Sequence, residues 1–209
     1  MPSVYTGGMQ QEIEVKFLNV DFDDVRARLK KLGAVCEQPM RLMRRVVIDY
    51  PDRKLQATGD SWVRVRDEGN KITLTFKKTT EHEFGGAQEI EVNVSDYQKT
   101  IDIFLAMGLI VHTDQETKRE TWKLGEVEVV LDEWPWIPLF IEIEGMSHDK
   151  VKSAAEALGY HWNDAVFGSA VVAYEHHYPR SKDTGVKISQ EPEIKFSLPI
   201  PDWLKKGAE

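Results

Sequence analysis

Charged side chains recur at every second position in several short apolar segments of this 209-residue chain. In Glu12-Ile13-Glu14-Val15-Lys16-Phe17 the charges fall on one side of an extended strand and Ile13, Val15 and Phe17 on the other. Val63-Arg64-Val65-Arg66 repeats the alternation with two guanidinium groups, and Ile72-Thr-Leu74-Thr-Phe76-Lys77 ends in an ammonium. Gln88-Glu89-Ile90-Glu91, Glu126-Val127-Glu128 running on to Asp132, and Ile141-Glu142-Ile143-Glu144 carry acids, and Arg119 adds a base on the strand before Glu126. A half-exposed antiparallel sheet also carries charge on its wet face, where cross-strand ion pairs contribute little. The like-sign pairs Arg64/Arg66, Glu89/Glu91 and Glu142/Glu144 argue for more, because each stacks equal charges ~6–7 Å apart along one strand. Such pairs make sense if each has a ligand of its own, a cation for the acids and an anion for the arginines. A polyphosphate suits a row of Arg and Lys, since guanidinium forks match phosphate oxygens in pairs. Carboxylates beside it would hold Mg²⁺ or Mn²⁺, hard cations that take oxygen ligands and stabilise charge on a transferred phosphoryl group.

The elements that must position these groups are legible from periodicity. Strands are predicted at about 11–18, 42–50, 61–67, 71–78, 87–94, 115–124, 126–132 and 139–144. Turns at Asp67–Lys71 and Lys123–Glu126 make neighbouring strands antiparallel. Helices are predicted over 21–32 with Asp21 as cap, 95–107 with Ser95 as cap, 147–158, and 163–177. An α+β fold follows: an eight-stranded antiparallel closed (tunnel) barrel with a charged interior and helices outside, or an open sheet with one solvated face. The expected organisation is a flexible start (1–9), a main domain (10–178) and an extended tail (179–209) containing Pro179, Pro192, Pro199 and Pro201. The tail repeats E-x-E-x-K at Glu191–Lys195, where Pro192 ill suits a central strand. That repeat reads as coincidence. The alternative is a tail that docks on a sheet edge or a second copy through Phe196, Ile200 and Trp203.

Composition narrows the function classes. Lys and Arg total 27 against 35 Asp and Glu, a net charge of −8, which argues against a nucleic-acid or anionic-membrane binder. One cysteine, Cys36, excludes an internal disulfide and fits a reducing compartment, so the expected address is cytoplasmic. Cys36 reads as a small buried group. The histidines do not fall at metal-ligand spacing, and no Walker glycine loop or Ser-His-Asp arrangement occurs. Trp134-Pro-Trp136-Ile-Pro138 is expected to pack as a loop on the sheet rim, or else to form an aromatic lip.

Taken in order, Glu12-Ile-Glu14-Val-Lys16, Arg64/Arg66, Lys77, Glu89/Glu91, Arg119, Asp132 and Phe140-Ile-Glu142-Ile-Glu144-Gly145 resemble the CYTH superfamily, or triphosphate tunnel metalloenzymes. The resemblance spans about residues 10–178. It implies a tunnel and divalent-metal chemistry on a small-molecule triphosphate. By the same carry-over Lys16, Arg64, Arg66, Lys77 and Arg119 hold phosphate, with Arg44 or Arg45 extending the row. Glu12, Glu14, Asp132, Glu142 and Glu144 hold metal and water, supported by Glu89 and Glu91, and Lys16, Glu12, Glu14 and Arg64 form the catalytic set. Hydrolysis of tripolyphosphate or an organic triphosphate is the reaction expected first. A class IV-type adenylyl cyclase is the alternative, and a non-catalytic polyphosphate-binding module the third. The region Phe167-Gly-Ser169-Ala170 lacks the basic residue that some family members place on a final helix. A homodimer is the assembly to test.

Overall fold

The computed structural model describes residues 10–79, 87–184 and 186–205; the expected flexible start lies outside the described residues. The strands are β1 (Gln10–Leu18), β2 (Val35–Asp49), β3 (Ser61–Asp67), β4 (Ile72–Thr79), β5 (Ala87–Val94), β6 (Ile110–Leu124), β7 (Val127–Glu133), β8 (Phe140–Gly145) and β9 (Glu193–Ile194). The helices are α1 (Phe22–Lys31), α2 (Lys54–Gly59), α3 (Tyr97–Ala106), α4 (His148–Ala157), α5 (Val171–His177) and α6 (Asp202–Lys205). This is an α+β fold built on one large sheet. Its order is β2-β3-β4-β5-β1-β8-β7-β6-β9, with β2 also paired to β6. The pairings are antiparallel apart from β6 with β9. Among the described residues no helix is long and apolar enough to cross a membrane.

Period-two alternation sends the apolar half of each strand under the helices. Val15, Phe17, Val129, Leu131, Ile141 and Ile143 pack against Val25 and Leu29 of α1 and Val151, Ala155 and Leu158 beside them, all buried. Val46, Ile48, Val63 and Val65 pack with Ile101 of α3 and Leu109. Each such aliphatic side chain contributes about 1.5–3 kcal/mol when fully buried, so the helix-covered face holds the sheet's shape. The opposite face is left to the charged half.

Several elements differ from the expectation. The Oδ1 of Asp21 accepts from the Asp23 and Asp24 amides at 2.9 Å and caps α1 as predicted, but α3 is capped by Asp96, not Ser95. The predicted helix 163–177 is broken. Trp162–Asp164 forms a single 3-10 turn, and Val166 exchanges two backbone hydrogen bonds of 2.9 Å with Lys16. Gly168 then turns back at φ +117°, and α5 starts only at Val171. A peptide group bonded to a strand cannot also serve a helix, so the tertiary contact overrides the helical pattern. Cys36 is exposed at the start of β2, not buried.

The Pro-containing tail folds onto the sheet. Ile194 is 1% exposed and Leu204 0%, packed with Trp134, Phe140, Tyr174 and Tyr178. Trp136 donates its indole N–H to the Leu198 carbonyl at 2.9 Å, and Tyr174 donates its hydroxyl to the Pro135 carbonyl at 2.8 Å. The Trp134–Pro138 segment therefore packs as a loop under the tail. Edge docking of the tail is the arrangement found.

Candidate functional site

The charged face is assembled by register. Lys16 of β1 lies opposite Glu142 of β8, and Glu14 opposite Glu144, which in turn faces Glu128 of β7. Arg119 of β6 lies opposite Asp132. On the other flank Arg66 faces Arg45 of β2 and Thr73 of β4, Thr75 bridges Arg64 and Glu91, and Lys77 faces Glu89. The sheet thus brings Glu14, Lys16, Arg64, Arg66, Lys77, Glu89, Glu91, Arg119, Asp132, Glu142 and Glu144 to one face. Glu12 pairs through its backbone with Ala87, and its side chain lies outside the described residues.

One flank is acidic and largely paired. Lys16 Nζ lies 2.6 Å from Glu14 and 3.1 Å from Glu142 and is fully buried. Arg119 grips Asp132 with two bonds of 2.7 and 2.5 Å and reaches Glu142 at 2.6 Å. Burial alone would raise Glu142, but Lys16 and Arg119 outweigh it and hold its carboxyl far below the usual range. Glu144 is the opposite case. It makes no ion pair among the described residues, and burial together with Glu128, Glu142 and Glu14 outweighs Arg119 and lifts it well above the ordinary carboxylate value.

The other flank is cationic and short of partners. Arg66 meets Glu68 at 2.6 Å and Arg64 meets Glu91 at 3.5 Å. Arg45 donates Nε to Gln115 at 2.8 Å and stacks 4.1 Å over the Trp134 ring, with no carboxylate in ion-pair contact among the described residues. Among the described residues the buried Nε groups of Arg41, Arg64 and Arg66 meet no hydrogen-bond acceptor. Burial and then Arg64, Arg66 and Arg119 pull Arg45 down to about 9; burial and then Arg64 pull Arg66 down to about 10. Buried donors in excess of acceptors cost about 1–3 kcal/mol each, more when charged, unless something fills the gap. An anion with several oxygens is what fits. A pocket of about 280 Å³ opens onto this flank between Arg41, Arg66, Glu68, Arg119 and Glu128.

Arg44 is a correction. It points to the helix-covered side, where its exposed guanidinium pairs with Asp67 at 2.7 Å and lies over Tyr97. Its neighbour Arg45 is the residue that joins the cluster. Arg41 and Glu68 belong to the site and were not anticipated. The available signal was parity: Arg44 shares the phase of Val46 and Ile48, which pack under α3, whereas Arg45 does not.

A binding prediction follows. Even with burial and its neighbouring guanidiniums pulling it down, Arg45 keeps its proton near neutrality and is a cation in the free site. Arg45→Gln should therefore weaken metal-free tripolyphosphate binding near neutral pH, as read by isothermal titration.

Comparison with known proteins gives the family and the fold. The profile of the CYTH domain matches residues 10–161. A Methanocaldococcus jannaschii protein provisionally named an adenylate cyclase is 28% identical over 134 residues, 64% of this chain and 75% of that one. A solved protein of Pyrococcus horikoshii superimposes with a TM-score of 0.62 at 25% identity, covering 74% of this chain and 94% of that one. A Hippeastrum protein, a proposed adenylyl cyclase for which a dominant triphosphatase activity is described, shares the fold with a TM-score of 0.50 at 16% identity, over 71% of this chain and 85% of its own. The chain belongs to the CYTH family.

Proposed function

We propose that this protein is a divalent-metal-dependent phosphohydrolase whose substrate carries a triphosphate. The observation that carries the reading is the group of enclosed arginines, Arg45, Arg64 and Arg66, in which the buried Nε groups of Arg64 and Arg66 meet no acceptor among the described residues and Arg45 has no carboxylate partner. The pairing of β2 with β6 joins the two sides of the sheet order, which supports a tunnel that encloses the charged face. In this reading Arg45, Arg64 and Arg66 hold successive phosphates, with Lys77 and Arg119 at the border with the acidic flank.

The acidic flank fits a divalent cation by its chemistry. Glu144 and Glu128 face each other across β7 and β8, and among the described residues neither makes an ion pair with a basic side chain. Among the described residues no three carboxylate, imidazole or thiol groups form a ready cage. Mg²⁺ ordinarily uses one or two carboxylates plus substrate phosphates, so Glu144 and Glu128, with Glu14 and Glu142 beside them, suffice. The ion, Mg²⁺ or Mn²⁺, would supply charge neutralisation at the phosphates. The chain's own part is to fix the triphosphate by its arginines and to keep the carboxylate-lined side open to a water. Attack of that water on the terminal phosphorus breaks the bridging P–O bond, the water's proton passes to a carboxylate of that flank, and the arginines offset charge on the departing diphosphate. Glu144→Gln should weaken Mn²⁺ binding in calorimetry while leaving metal-free tripolyphosphate binding equal or tighter, since it removes one negative charge from the site.

The second reading, cyclisation of ATP, is favoured by the name of the M. jannaschii relative. The two differ in which phosphorus is attacked. Incubating the chain with ATP and with tripolyphosphate under Mg²⁺ and under Mn²⁺ separates them: orthophosphate supports the hydrolase, and cyclic AMP with pyrophosphate the cyclase. Binding without any turnover would leave the non-catalytic module.

A further inference from the structure

We infer that Gln115 and Trp134 are positioning residues for Arg45, a cradle without a carboxylate that fixes its guanidinium and leaves its charge for the anion. The inference deepens the triphosphate reading above, on which its binding arm rests. The basic side chains of the charged face are held in two ways. Arg119 is held by Asp132 and Glu142, Arg66 by Glu68, Arg64 by Glu91, and Lys77 by Glu14 and Glu89, all of them acids. Arg45 is held by neutral groups. Its Nε donates to Gln115 Oε1 at 2.8 Å, and its Cζ lies 4.1 Å from the centroid of the Trp134 ring. Among the described residues its two Nη groups make no hydrogen bond or ion pair. With Nε tied and one face covered by the indole, the edge that remains is the pair of Nη groups, which matches two phosphate oxygens.

Both halves of the cradle are fixed by contacts of their own. Gln115 is 7% exposed and lies on β6 directly opposite Arg45 of β2, in register on its other side with Ile194 of β9. Its Nε2 donates to Thr113 Oγ1 at 3.3 Å, which leaves the amide oxygen for Arg45. Trp134 is buried among Phe140, Tyr174, Ile194 and Leu204 and stands edge-on to the Tyr174 ring at 6.3 Å. Asp132, beside the indole N–H, is engaged by Arg119 through two bonds. An acid at position 115 would neutralise Arg45 in an ion pair that an incoming anion must break. An amide orients the same Nε without competing for the charge. A long side chain ordered before binding also lowers the entropy lost on association.

The test is a double-mutant cycle in the full-length chain with Gln115→Met, Arg45→Gln and the two combined, read as metal-free tripolyphosphate affinity by calorimetry. Residues in contact couple, whereas independent ones add, so Gln115→Met should weaken binding about 3–30-fold with Arg45 present and less than about 2-fold without it. Equal losses in both backgrounds would show that Gln115 acts without Arg45 and overturn the inference. A second measurement needs no ligand. In proton–nitrogen NMR of the free chain, the Arg45 Nε–H signal, identified by its loss in Arg45→Gln, should be shifted by the indole ring current and slow to exchange. Trp134→Leu should abolish the shift, and Gln115→Met the slow exchange. An unshifted, fast-exchanging signal in the native chain would overturn the inference even if the variants fail to fold. A native chain that binds no tripolyphosphate would refute the proposed substrate, and the NMR signal alone would then decide the cradle.

Discussion

Arg64→Ala and Arg66→Ala should each lower kcat/KM for the triphosphate by about 10²–10³-fold, the loss seen when one preorganised donor to a developing negative charge is removed. The melting temperature should fall little. These side chains repel one another, and Arg66 is pulled down to about 10 by burial and by Arg64, so deleting one relieves its neighbours. Arg44→Ala provides the contrast: its exposed pair with Asp67 contributes about 0–1 kcal/mol, and turnover should stay at the native level. Steady-state rates with a thermal melt on each variant are the measurement. Near-native turnover in both Arg64→Ala and Arg66→Ala would remove the arginine cluster from the reaction.

Glu142→Ala should produce the largest loss of stability. Glu142 is buried and, among the described residues, is the acid shared by Lys16 at 3.1 Å and Arg119 at 2.6 Å. Removing one member of a buried ionic group leaves uncompensated charge in low dielectric and typically costs about 3–5 kcal/mol. The sign with pH follows from its folded-state pKa, which lies below the unfolded one. Its stabilisation is complete above the ordinary carboxylate value and is lost as acid protonates the folded site. Urea titrations near neutrality should show the full difference between native and variant, and the two curves should converge as the pH is lowered. A difference under about 1 kcal/mol near neutrality would mean that the two cations find other partners, Glu14 for Lys16 and Asp132 for Arg119.

Much of this was legible in the sequence because β-strands convert parity directly into sides. Glu14/Lys16, Arg64/Arg66 and Glu142/Glu144 each alternate with buried aliphatics, and the structure places them on one face. The acidic and basic flanks follow from hairpin order. What was not legible depended on irregularities. β2 shifts register against β6 between Cys36 and Gln38, between Gln38 and Arg41, and between Val47 and Ile48. Bulges of that kind decide where Arg41 lands, and no local pattern announces them. Glu68 follows the last β3 residue and reads as part of a turn, yet it is 4% exposed and pairs with both Arg41 and Arg66. The helix α2 is six residues long and framed by Arg53 and Asp60, both in left-handed conformations, too short for periodicity to reveal. The break in the 163–177 helix came from a strand far away in sequence. A helical pattern reports only which residues could share a face, and Val166 had a better partner in Lys16.

The short strand β9 bears on how the molecule behaves in concentrated solution. β7 accompanies β6 only from Lys118 onward, and Glu193 and Ile194 line up beside Asp114 and Gln115, just before that point. The Asp114 amide donates to the Pro192 carbonyl, and Lys195 locks the arrangement to the Asp114 carboxylate at 2.7 Å. Peptide groups left bare along such a border invite foreign chains to add on. Proteolytic clipping ahead of Pro192 would leave the arginines and carboxylates in place, and the nicked protein would fail first by sticking to its own copies.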